Sequence, residues 1–107
     1  MRRGELWTPA GKHYAGKPRP VLIVQDDRFD ATSSITVCPL TSDPTEIPLL
    51  RVPLDPNDSN GLDVPSSIML DKVTTMPRSR LAERLGKVSD ADMRTLSRGL
   101  LVFLGFA

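Results

Sequence analysis

Pro20-Val21-Leu22-Ile23-Val24 puts four apolar residues in a row, three of them β-branched, and stops at Asp26-Asp27. So short and continuous an apolar run reads as a buried strand. Ser34 to Leu40 reads the same way and ends at Thr41-Ser42-Asp43-Pro44. Upstream, Leu6-Trp7 suggests a short first strand. Thr8 to Pro18, broken by Pro9, Gly11, Gly16 and Pro18, reads as a basic loop. Downstream, Ile47 to Leu54 is a strand candidate that Pro48 and Pro53 restrict to an edge or a bulge. Asp55 to Gly61 has the composition of a tight turn with positive φ available at Asn60 or Gly61. Ser67 to Val73 and Leu85 to Val88 complete the predicted strands.

The period then changes. Ser89 followed by Asp90, Ala91 and Asp92 is an N-cap with a carboxylate at the third helical position. Met93, Leu96, Leu100, Phe103 and Leu104 recur at helical spacing, Arg94 and Arg98 fall on the other side, and Gly105 is a stop. The apolar stripe is expected to serve core or dimer packing. Several short strands followed by one amphipathic helix predict a mainly β, α+β fold: a small curled sheet or barrel with the helix against it. A chain of 107 residues fits a single domain over residues 1–107, without repeats or linkers.

Net charge is only +1, but it is unevenly spread. Residues 1–25 carry five Lys or Arg against Glu5 (+4), residues 26–70 two against eight acids (−6), and residues 71–107 seven against four (+3). If the two ends combine they form a positive face fit for phosphate. Cys38 is alone, which excludes an intramolecular disulfide; its apolar neighbours predict a buried thiol. No window is apolar enough to span a membrane, and the opening residues lack the apolar stretch of a secretory signal, so a cytoplasmic location is expected.

With one His and one Cys, the chain excludes a two-histidine nuclease arrangement and the usual zinc sites. It has no Gly-x-Ser-x-Gly elbow and no Walker-type loop. Most carboxylates flank turns, and neither metal nor cofactor is expected. The remaining chemistry is phosphate binding. Lys17-Pro18-Arg19-Pro20 sets a guanidinium between two prolines at the mouth of a buried strand, where a stiffened backbone lowers the entropy lost on binding. Thr41, with Ser42 behind it, ends the next strand, where a hydroxyl either donates to a phosphate oxygen or caps the turn.

In order and spacing these segments resemble the MazF/PemK toxin family of bacterial toxin–antitoxin pairs. The matching stretches are Arg3-Gly4-Glu5-Leu6-Trp7, Arg19-Pro20-Val21-Leu22-Ile23-Val24, Cys38-Pro39-Leu40-Thr41-Ser42, Gly61-Leu62, Ser67-x3-Asp71-x2-Thr74, Arg80-Leu81 and Gly86-Lys87-Val88-Ser89. The resemblance implies an SH3-like β-barrel (CcdB/PemK-like) with a C-terminal helix. It also implies a homodimer that cuts single-stranded RNA without metal, by attack of the ribose 2′-hydroxyl on the adjacent phosphate. Arg19 would be the electrostatic stabiliser and Thr41 would hold the phosphate or the attacking hydroxyl; Ser42 stands beside them. Asp71 matches the aspartate of an Arg-x-Asp pair used by some relatives, but Met69 occupies the arginine position. Asp71 is therefore either a general base or a structural hydrogen-bonding group.

The loop after the first strand departs from the family pattern and carries Lys12-His13-Tyr14. His13 is a candidate proton donor or base-stacking group. Lys12, Tyr14 and Lys17, with Arg78 and Arg80, are candidate RNA contacts. The implied partner is an antitoxin whose acidic C-terminal segment competes with RNA for the positive groove. Two alternatives come from other classes: a gyrase-inhibiting toxin on the same barrel, and a nucleic-acid-binding barrel without catalysis.

Overall fold

The computed structural model of the chain describes residues 1–10 and 19–107. Seven strands form one bent antiparallel sheet: β1 (Glu5–Pro9), β2 (Val21–Ile23), β3 (Ser34–Thr41), β4 (Arg51–Leu54), β5 (Ser66–Met69), β6 (Thr74–Pro77) and β7 (Leu81–Lys87). The spatial order is β4-β5-β3-β2-β1-β7, and β6 pairs with β3 next to β5. Helix α1 (Asp90–Phe103) follows.

Side chains alternate across β2 and β3, and each face has its own apolar cover. Leu22, Cys38, Leu40, Ile68 and Leu70 join Leu96 of α1 in one cluster. Val21, Ile23, Ile35, Val37 and Leu81 form the other, with Trp7 and Met76 packed beside them. Burial on both faces explains why β2 reads as an unbroken apolar run. The α1 caps follow the sequence. Ser89 Oγ accepts from the Asp92 amide at 3.2 Å. Gly105, at φ 85°, closes the far end while the Phe106 amide reaches the Leu101 carbonyl at 2.7 Å.

Three strand expectations are corrected. Ser67 to Val73 is not one strand: β5 stops at Met69 and a 3₁₀ turn over Leu70–Lys72 follows. That turn drops Leu70 into the core beneath α1, where Gly99 leaves the room its side chain needs. β6, unpredicted because Thr74-Thr75-Met76-Pro77 has little apolar pattern, is held by pairing with β3 over Ser34–Val37. β7 is longer than expected; its middle residues Glu83 and Arg84 are exposed and obscure the alternation. β4 lies at the sheet edge, as Pro53 requires, while Pro48 falls in a turn with Leu49 at φ 71°.

The predicted barrel is not closed by strand pairing, since β4 and β7 do not pair. The turn between β4 and β5 bridges the gap. The Lys87 amide donates to the Ser59 carbonyl at 2.8 Å. Asn60 is buried: its Oδ1 accepts from the Asn57 and Leu62 amides, at 3.1 and 3.0 Å, and its Nδ2 donates to the Asp55 carbonyl at 2.8 Å. A Cβ on Gly86 would run into backbone atoms of Ser59 and Asn60. Gly86→Ala should therefore destabilise the protein by about 1–3 kcal/mol in urea unfolding; an unchanged midpoint would show that the turn does not bear on β7.

Candidate active site

β2 and β3 pair in register, with Val21 opposite Pro39, Leu22 opposite Cys38 and Ile23 opposite Val37. The Leu40 amide donates to the Pro20 carbonyl at 3.0 Å and extends the ladder by one residue. One residue further, the same register sets Arg19 against Thr41. On its other side Thr41 pairs with Ser67 of β5. Three strands thus deliver a guanidinium, a threonine hydroxyl and serines to one rim of the sheet.

Arg19, Thr41 and Ser42 all line a cleft of about 480 Å³. Its apolar wall includes Leu40, Leu62, Val64 and Leu85, and its polar lining also includes Thr8, Asp63 and Ser66. Arg19 is exposed, and among the described residues its side chain has no carboxylate or carbonyl partner. Thr41 Oγ1 accepts from the Asp43 amide at 3.1 Å, which leaves its own proton available to a ligand oxygen. Such a set suits a phosphodiester: a planar fork that is paired with no carboxylate among the described residues, beside an oriented hydroxyl in a partly apolar recess. Sequence reasoning did not single out Thr8, Asp63 or Ser66. Only tertiary proximity brings them to the cleft.

Other candidates lie elsewhere. Asp71 does not line the cleft; its carboxylate pairs with the Arg51 guanidinium, which also donates to the Leu50 carbonyl at 3.0 Å. Arg51 is the cross-strand neighbour of Met69. The cation facing Asp71 therefore comes from β4, while residue 69 carries methionine. Arg78 is half-buried, and its guanidinium binds the Thr32 and Phe29 carbonyls, so it ties down the chain between β2 and β3. Arg80 is exposed, its carbonyl accepting from the Ala10 amide. Lys12, His13, Tyr14 and Lys17 lie outside the described residues.

Among the described residues, cations from the two ends of the chain meet beside α1 and not at this cleft. Arg3, Arg94 and Arg98 line a separate groove beside α1. Arg3 clamps α1 to the end of β2 there, donating to the Val24 carbonyl and, at 2.7 Å, to Ser97 Oγ. Burial pushes the Cys38 thiol up to about 12, so at neutral pH it is a protonated core group and not a nucleophile. Among the described residues no group of three or more His, Cys, Asp or Glu is arranged to hold a metal ion.

Residues 2–104 match the family model described as PemK-like, MazF-like toxin of type II toxin–antitoxin system. The chain is 56% identical over 108 residues to a probable endoribonuclease MazF of Mycolicibacterium smegmatis, covering 100% of this chain and 99% of that protein. It is 32% identical to endoribonuclease MazF9 of Mycobacterium tuberculosis, with 97% and 96% of the two chains covered. A solved structure of MazE–MazF from Deinococcus radiodurans superposes with a TM-score of 0.76 at 26% identity, covering 98% of this chain and 95% of that one.

Removing the Asp71 charge should leave Arg51, whose side chain is only 13% exposed, without its counter-ion. Asp71→Asn is expected to cost about 1–2 kcal/mol of stability, less than for a fully buried pair because both groups retain some water. Urea titration of the variant measures this, and wild-type stability would mean that the pair is idle.

Proposed function

The chain belongs to the PemK-like, MazF-like toxin family of type II toxin–antitoxin systems, and from that premise we propose that it is an endoribonuclease acting on single-stranded RNA without a metal ion. The observation that carries the proposal is the placement of Arg19 and Thr41 on one cleft, with the guanidinium uncommitted to any protein anion among the described residues.

The chemistry follows from what these groups can do. The ribose 2′-oxygen forms a bond to the adjacent phosphorus and loses its proton. The bond from phosphorus to the 5′-oxygen breaks, and that oxygen takes up a proton. The products are a 2′,3′-cyclic phosphate and a 5′-hydroxyl. Negative charge accumulates on the non-bridging oxygens, where Arg19 donates from a fixed fork and Thr41 adds a hydroxyl hydrogen bond. Arg19 supplies positive charge and N–H donors and has no acceptor lone pair with which to take the proton. The proton movements fall to other groups. His13 remains a candidate from the sequence; Asp63 is the carboxylate that the described residues contribute to the cleft. Asp71, committed to Arg51, is assigned a structural role.

Two partners complete the reading. A related structure pairs MazE with MazF, and we assign this chain a cognate antitoxin whose acidic segment covers the Arg19 cleft. A second copy is the other partner. Leu101, Val102, Phe103, Leu104 and Phe106 are each between 43% and 76% exposed at the end of α1. So dense an apolar patch on a small chain is best covered by a second copy.

Arg19→Ala is expected to slow cleavage of a long unstructured RNA at least about 100-fold in EDTA, with binding weakened less. Mapping product ends by sequencing checks this, and cutting at the wild-type rate would remove Arg19 from the mechanism. Phe103→Asp should convert a dimer into a folded monomer in analytical ultracentrifugation. A wild-type protein that is already monomeric at micromolar concentration would refute the second-copy assignment.

A further inference from the structure

A second cavity, of about 390 Å³, opens beside the Arg19 cleft and shares Ser42 and Ser66 with it. We infer that this cavity is a base-selecting subsite: it takes the nucleobase next to the cleaved phosphodiester and favours one with an exocyclic amino group over uracil. The inference rests on the nuclease reading above and adds to it which part of the substrate enters this second space and what selects it.

The walls suit a flat, apolar-faced guest. Pro44, Pro48, Pro53 and Pro65 all line the cavity, and their rings offer rigid surfaces that lose little entropy when a planar group packs on them. The polar lining makes the choice among guests. Asp43, Glu46 and Asp55 contribute carboxylates. Asp43 Oδ1 already accepts from the Thr45 amide at 2.9 Å and from its hydroxyl at 2.7 Å, and these bonds hold the acid below its ordinary carboxylate range. Among the described residues the Glu46 and Asp55 carboxylates have no hydrogen-bond or ion-pair partner.

Ionised carboxylates only accept hydrogen bonds. They repel a phosphate, so the sugar–phosphate chain stays on the Arg19 side while the base projects across Ser42 and Ser66. Cytosine, adenine and guanine present an exocyclic amino group with two N–H donors to such acceptors; uracil has only its single N3–H, flanked by two carbonyl oxygens that the carboxylates oppose. Arg51 also lines the cavity and places a cation beside the acids, which keeps the acidic pocket tolerable next to a polyanion. A basic side chain from a protein partner would meet the same acids, but the continuity with the Arg19 cleft favours the base of a bound RNA.

The test is cleavage of an RNA pool randomised around a single cut site, in EDTA, read by sequencing product 5′ ends. Wild type should disfavour uracil about tenfold at one position within two nucleotides of the cut. The double variant Glu46→Gln, Asp55→Asn, whose amides can donate to a carbonyl, should lose that discrimination at this position alone. Wild type accepting uracil equally at every position, or a double variant keeping the wild-type profile, would overturn the subsite. A parallel arm measures retention of uncleavable 2′-deoxy-substituted oligonucleotides by the Arg19→Ala protein, where the same preference should appear in affinity. RNA cut or bound without base preference overturns this inference alone. RNA neither bound nor cut overturns the nuclease reading with it. If the double variant weakens only antitoxin binding, the cavity belongs to a protein partner and the assignment falls.

Discussion

The pairing of β2 with β3 is the constraint on which the rest of the molecule depends. Both strands are covered by apolar side chains on two faces, so a slip of one residue would exchange the contents of two separate clusters. The register is therefore held by most of the core, and a consequence appears at the strand ends. The same register that seats Leu22 against Cys38 brings Arg19 and Thr41 to one rim. The position of a charged group at the surface is in this way governed by hydrophobic packing several residues away.

The frame around that pair is assembled from local devices. The 3₁₀ turn after β5 presses Leu70 under α1, and Arg3 ties α1 back to the end of β2. The turn carrying Asn60 spans from the β4 side to β7, where strand pairing does not close the sheet. Gly61 and Gly86 are needed at that junction because backbone approaches backbone. This bridging turn continues into Leu62 and Asp63, which line the cleft, so the device that compensates for an open sheet also builds one wall of the site.

Charge is sorted more finely than the net value of +1 suggests. Among the described residues Arg19 has no ion-pair partner at the cleft, whereas Arg51, Arg78 and Arg3 are spent on Asp71, on carbonyls near Thr32 and on the α1 clamp. The acidic middle third of the chain supplies the neighbouring cavity. The cleft that carries Arg19 and a cavity richer in carboxylates thus lie side by side across Ser42 and Ser66. In the proposed complex this boundary would orient the RNA strand, because its phosphates and its bases prefer opposite sides of it.

Much of this was legible in the residues themselves. The apolar runs at Val21–Val24 and Ile35–Leu40, the caps at Ser89 and Gly105 and the turn ending at Gly61 are local signals, and local physical chemistry suffices to read them. The motif order also carried the family, with Arg19 and Thr41 as its bearers. What the residues could not show depends on contacts distant in sequence. Thr74–Pro77 becomes a strand only because β3 offers it a partner; Leu70 leaves the extended conformation only because α1 needs filling beneath Gly99. Arg51 comes to face Asp71 across the β4–β5 ladder, and Asp63 reaches the cleft on a bridging turn. Pairing and packing between remote segments are many-body outcomes of a single compact arrangement, so no window of the sequence contains them.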